Sequence, residues 1–115
     1  MPVPSRYADV APTEVMPGTF RRVLAWGERL MLVEFTFEGG VELAMHSHPH
    51  EQLSHMVSGE MEFRLGDEVH ILYPGDSLLI PSGLRHSVLA RQRTVVIDAF
   101  SPPREEFMGM HRHTQ

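Results

Sequence analysis

The stretch GVELAMHSHPHEQLSHMVSG, residues 40–59, alternates apolar and polar positions on either side of a polar cluster. That cluster, His46 to Gln52, holds three histidines, a glutamate and a glutamine in seven positions. Alternation at period two is the pattern of a half-buried β-strand. If residues 41–48 form a strand, His46 and His48 point to the same side of the sheet, where two imidazoles can offer lone pairs to one cation. Pro49 breaks such a strand and opens a turn. Beyond it, the side-chain carbonyl of Gln52 can serve as a neutral oxygen ligand. Glu51 is the rival for that place, but alternation points it the other way.

The same strand-and-turn rhythm continues in both directions. Phe20–Ala25 and Leu30–Phe37 flank the turn sequence WGER, and EGG at 38–40 is a further break. EMEFRL, residues 60–65, puts Met61, Phe63 and Leu65 on one face and charges on the other. GD at 66–67 turns the chain into EVHILY, PGD at 74–76 turns it into SLLIP, and RHSVLA and TVVIDAF follow. Some nine to eleven short strands at regular spacing predict an all-β sandwich or barrel. Pro2, Pro4, Pro12 and Pro17 make residues 1–19 an extended, helix-free arm. The barrel is expected over 20–107, with a C-terminal tail at 108–115. PPREEFMGM, residues 102–110, is the one segment suited to a helical turn, with Pro103 at its first position.

Composition removes several chemistries. A chain of 115 residues makes one domain with one modest core. It contains no cysteine, which excludes thiol nucleophiles, iron–sulfur clusters and disulfides. All ten basic residues are arginine, so Schiff-base chemistry on lysine is excluded too. A net charge of −5 without a basic patch argues against nucleic acid. The N-terminus lacks a signal pattern and no apolar run reaches membrane-spanning length, so a cytoplasmic protein without membrane contact is expected.

A third imidazole follows a Pro–Gly turn, at His86 in PGDSLLIPSGLRHS. Facing inward, His46, His48 and His86 would be buried polar groups without partners unless they shared a metal. His50, His55, His70, His111 and His113 read instead as surface residues. Imidazole-rich sites of this kind accept nickel, zinc, iron, copper or manganese. Gln52 would leave the ion its full charge, favouring Lewis-acid over redox chemistry. A second constellation lies in VVIDAFSPPREEF, residues 95–107. Val96, Asp98 and Phe100 share a strand face, and the prolines that end the strand present Arg104. Asp98 and Arg104 form either an acid–base and anion-clamping set beside the metal or an ion pair tying the tail to the barrel.

Gly40, then five residues, His46-Ser47-His48, three residues, Gln52, six residues and Gly59 resembles the first motif of the cupins. Gly75, five residues, Pro81-Ser82-Gly83, two residues and His86 resembles their second. Gln52 stands where cupins usually have glutamate, and Ala90 where they usually have asparagine. The resemblance implies a single-domain jelly-roll barrel. HSHPHEQ, the His86 motif and DAFSPPRE together are similar to the KdgF family of small cupins, over roughly residues 31–107. That likeness implies one divalent transition metal (nickel, zinc, iron or manganese) on His46, His48, Gln52 and His86, with Asp98, Phe100 and Arg104 as functional residues. It further implies an isomerase-type enzyme that turns 4,5-unsaturated uronates, small anionic sugars, into linear ketonised products. A cupin dioxygenase and a non-catalytic binding cupin are the alternatives. A homodimer is expected from family habit and from the apolar arm, with Val3, Val10 and Val15, lying near exposed sheet edges.

Overall fold

Alternation in the sequence becomes alternation in burial. In the computed structural model, which describes residues 3–108, strand β3 (Met31–Phe37) buries Met31, Val33, Phe35 and Phe37 and leaves the residues between them at least partly open to solvent. Strand β10 (Thr94–Ser101) likewise buries Thr94, Val96, Asp98 and Phe100. Eight further strands are β1 (Thr13–Met16), β2 (Thr19–Trp26), β4 (Glu42–His46), β5 (Glu51–Ser58), β6 (Met61–Leu65), β7 (Glu68–Leu72), β8 (Ser77–Ile80) and β9 (His86–Ala90). They form a six-stranded sheet, β1-β2-β3-β10-β5-β8, and a four-stranded sheet, β4-β9-β6-β7, each with antiparallel pairing. The jelly-roll barrel expected from the motifs is the fold observed. Met31, Val33, Met56 and Phe100 from the larger sheet meet Met61, Phe63, Val88 and Ala90 from the smaller one in a single core. No helix among the described residues is long and apolar enough to cross a membrane.

Register decides which side chains share the interior. Across β3, β10, β5 and β8, one inward row runs Met31, Phe100, Gln52, Ile80 and the next runs Val33, Asp98, Ser54, Leu78. The four-stranded sheet pairs His46 directly with His86. The barrel therefore sets Gln52, Ser54 and Asp98 of the larger sheet against His46 and His86 of the smaller one, in an otherwise apolar interior.

Three local expectations are corrected. The strand expected over 41–48 ends at His46, and His48 lies in the loop that follows. That loop is tied to the second motif: the Gly83 amide donates to the His48 carbonyl (2.9 Å) and the Ser82 hydroxyl to the Pro49 carbonyl (2.6 Å). The N-terminal segment contains a 3₁₀ turn at Tyr7–Asp9 as well as β1, which pairs with β2. The turn after β10 covers Glu105–Phe107, two residues later than Pro103 suggested. His111 and His113 lie outside the described residues.

Gly59, the last glycine of the first motif, has φ +91°. A Cβ there would collide with the backbone carbonyl of Arg93, so no other residue fits where β5 passes the β9–β10 turn.

Candidate metal centre

One ring nitrogen from each of His46, His48 and His86 lies within 4.8 Å of the other two. The ring centroids of His46 and His86 are 4.3 Å apart and those of His48 and His86 4.9 Å. Each ring is fixed by its own backbone. His46 Nδ1 meets the Ala44 carbonyl at 2.9 Å, His48 Nδ1 the His50 carbonyl at 3.0 Å, and His86 Nδ1 the Leu84 carbonyl at 2.9 Å. A carbonyl oxygen only accepts, so each Nδ1 carries the hydrogen and each Nε2 keeps a lone pair. This arrangement, one ring nitrogen anchored and the other free, is what orients histidines as ligands.

Gln52 completes the set. Its Oε1 lies 3.0 Å from His48 Nε2, while its amide nitrogen donates to Ser54 Oγ at 3.0 Å. The Ser54 hydroxyl in turn donates to Asp98 Oδ1 at 2.6 Å, which leaves the serine oxygen to accept from the glutamine amide. Two lone pairs, on His48 Nε2 and Gln52 Oε1, thus face one another at 3.0 Å. Such a contact repels unless a cation sits against it or His48 takes a second proton. Burial, then the charge of Arg104, holds the His48 imidazole below its usual range, and burial does the same to His86. Protonation is therefore disfavoured at neutral pH, and the donor set fits a divalent metal ion on three imidazoles and one neutral oxygen. Glu51, the rival ligand, is exposed and points away.

Asp98 is buried on the inward row beside Ser54. Burial pushes its carboxyl up to about 7, against the opposing pull of the Ser54 hydroxyl and the Arg104 charge. A stability effect follows for metal-free protein. A carboxyl with an ordinary value of 3.8 when unfolded and about 7 when folded favours folding most below pH 4. As pH rises from roughly 4 to 7 the unfolded chain ionises first and stability falls, by at most about 1.4 kcal/mol per pH unit. Asp98→Asn removes this loss. Chelator-treated Asp98→Asn protein is accordingly expected to gain in thermal midpoint over the parent as pH is raised from 5 to 8. Parallel midpoints across that range would contradict it.

Arg104 does not pair with Asp98, which removes the tail-tying ion pair allowed by the sequence. Its Nε and Nη2 both donate to Glu106 Oε2, at 3.0 and 2.7 Å. Its guanidinium lies 5.2 Å from the centre of the Phe100 ring and 4.6 Å from that of Phe107. Nη1 keeps both N–H groups free of hydrogen-bond partners among the described residues. Phe100 stands edge-on to His48 at 5.9 Å, so one ring packs against both a candidate metal ligand and Arg104.

One cavity joins these groups. His46, Gln52, His86, Asp98, Phe100 and Arg104 line it together with an apolar remainder that includes Phe35, Phe63 and Val96. His48 reaches the cluster from its loop without lining the cavity. Sequence reasoning missed Ser54 and Glu106. The available signal for Ser54 was a hydroxyl at an inward position between Gln52 and Met56 on β5. His50 is half-buried, contrary to the surface position expected of it, and its carbonyl anchors His48. His55 and His70 are exposed, as expected.

A cupin domain profile matches residues 33–100. The chain is 31% identical over 97 residues, 83% of its own length and 88% of the relative's, to the pectin degradation protein KdgF of Dickeya dadantii (strain 3937). Among solved structures it is similar to KdgF from a Halomonas species, with a TM-score of 0.87, 31% identity and coverage of 91% of this chain and 99% of that one. It is equally close to an RmlC-like cupin from Shewanella frigidimarina NCIMB 400, with a TM-score of 0.88, 30% identity and coverage of 93% and 96%. Profile, sequence relative and structural neighbours agree with the paired histidine motifs: the chain belongs to the cupins and, within them, to the KdgF-like family.

Proposed function

We propose that this protein is an isomerase-type enzyme that uses a divalent metal to open and ketonise 4,5-unsaturated uronate monosaccharides. The observation that carries the reading is the chain Gln52–Ser54–Asp98, which joins a metal donor to a buried carboxyl in the same cavity as a guanidinium with free N–H groups. The pectin-degradation role in the name of the Dickeya relative supports the choice of uronates as substrates.

The substrate is a cyclic vinyl ether bearing a carboxylate at C5 and a hydroxyl at C1. When the ring opens, the C1 hydroxyl loses its proton, C1=O forms and the C1–O5 bond breaks. The electron pair passes to O5, and the resulting enol becomes a ketone at C5 as C4 gains a proton. Atoms and electrons balance without an oxidant or reductant. Arg104 holds the carboxylate through Nη1, with Glu106 and the two phenylalanines fixing its plane. Asp98 moves the proton, kept in place by the Ser54 hydroxyl. Phe100 and the apolar wall exclude water. A metal held by His46, His48, Gln52 and His86 would supply electrophilic stabilisation of negative charge developing on substrate oxygen. The test is proton NMR of freshly lyase-generated unsaturated uronate in deuterated buffer. Enzyme-dependent loss of the vinyl H4 signal with deuterium entering C4 supports the reading, and an unchanged spectrum over the uncatalysed interval removes it.

The oligomeric state we propose is a homodimer. The supporting surface is the outer face of the six-stranded sheet, where Ala25, Leu32, Ala99, Leu53 and Leu79 are successive cross-strand neighbours on β2, β3, β10, β5 and β8. Leu32, Leu53 and Leu79 are 40%, 52% and 47% exposed, an apolar row suited to a second copy of itself. Light scattering is expected to give a dimer for the parent and a monomer for Leu53→Glu. A monomeric parent would contradict this.

A further inference from the structure

Two adjacent arginines on β2 have different surroundings. Arg22 is accounted for: it lies 3.4 Å from Glu34, donates to the Val10 carbonyl at 2.6 Å and stacks on Tyr7 at 4.3 Å. Arg21 has neither a carboxylate within ion-pair distance nor a hydrogen-bond acceptor among the described residues. Its cross-strand partner on β3 is the buried Phe35, so it occupies a register position that continues the interior row of Phe35 and Val96. Its guanidinium carbon lies 4.3 Å from the centre of the Phe107 ring. Arg104 lies 4.6 Å from the centre of the same ring.

Two cations therefore share one aromatic ring, and Glu106 is bonded to Arg104. Glu106 takes two hydrogen bonds from Arg104 on one oxygen and so cancels most of the charge that Arg104 could offer an anion. Arg21 and Arg104 repel, and Arg21 is also partly removed from water. While no anion is bound, only the Phe107 ring and Glu106 offset the opposition of the two like charges. The arrangement makes sense if an anion arrives to relieve it.

We propose that Arg21 is a specificity residue for acidic ligands: through the shared Phe107 ring it helps place Arg104, and it restores the net positive charge that Glu106 removes from the end of the cavity. Arg21 does not line the cavity, so it acts on the ligand through Arg104 and through space. The inference rests on the reading above that Arg104 receives a carboxylate.

The test compares binding of D-galacturonate with that of neutral D-galactose to metal-loaded protein by titration calorimetry. The parent is expected to prefer the acid. Arg21→Gln is expected to weaken galacturonate binding about five-fold, the scale of one charge acting at a distance near a protein surface. Galactose binding should stay unchanged. Arg21→Lys, which keeps the charge, should recover most of the preference. Arg21→Met carries the same expectation as the glutamine variant should that protein fail to fold. An acid preference that survives loss of the charge, or equal weakening toward both sugars, overturns the role of Arg21 alone. A parent that shows no acid preference overturns the Arg104 reading as well.

Discussion

Replacing His86 by alanine is expected to cost the protein its metal and its turnover together. His86 sits at the centre of the triad, 4.3 and 4.9 Å from the other two rings, and is among the most buried polar groups in the molecule. Its Nδ1 bond to Leu84 spends nothing on other side chains, so the ring has no structural task besides presenting Nε2. Losing an outer partner of a ligand commonly costs 10- to 100-fold in metal affinity, and losing the ligand itself should cost at least about 100-fold. Metal content by elemental analysis after gel filtration should fall from one ion per chain to a trace, and the rate should fall to that of spontaneous ring opening. The fold should survive, because the core of Met56, Met61, Phe63 and Phe100 does not depend on the imidazole. His86→Ala protein that kept both metal and activity would remove the triad from the account.

Asp98→Asn separates the carboxyl from the metal. Asparagine has nearly the same shape and keeps an oxygen to accept the Ser54 hydroxyl, so the Gln52–Ser54 link that orients the fourth donor stays intact. Metal content is expected to match the parent. What is lost is a group able to take up and return a proton, and general acid–base catalysis is typically worth about 10²- to 10⁴-fold. Turnover should fall by that factor with little change in KM, since in the proposed reading Arg104 and a metal on the four donors would still bind the substrate. A metal-loaded Asp98→Asn protein with full turnover would confine Asp98 to a structural part.

Much of this was legible because strand chemistry leaves a plain trace. Residues two apart on a strand share a face, so Gln52-x-Ser54 and Asp98-x-Phe100 each point two side chains into the barrel. What the pattern could not give was the contact between strands far apart in sequence. Ser54 and Asp98 are 44 residues apart and meet only because β5 and β10 pair with those residues in register. The choice of glutamine over glutamate also gains a second reason. From sequence it concerns the charge left on a metal; in the structure its amide nitrogen must donate to Ser54, which a carboxylate cannot do. His48 shows the opposite failure. Alternation assigns it to a strand, yet a loop bonded to Ser82 and Gly83 places it. Arg104 was similarly visible as a residue that prolines would present, whereas its restraint by Glu106 depends on a turn whose geometry the sequence left open.

The measurement that bears most directly on the central claim is the loss of double-bond ultraviolet absorbance from freshly lyase-generated unsaturated uronate. It would be followed with metal-loaded protein, with chelator-stripped protein and with no protein. The metal-loaded sample is expected to run well ahead of the other two, and restoring a divalent metal to the stripped protein should restore the rate. Equal rates in all three, on both galacturonate-derived and alginate-derived substrates, would contradict the proposed activity and leave a cupin whose histidine cluster serves another reaction.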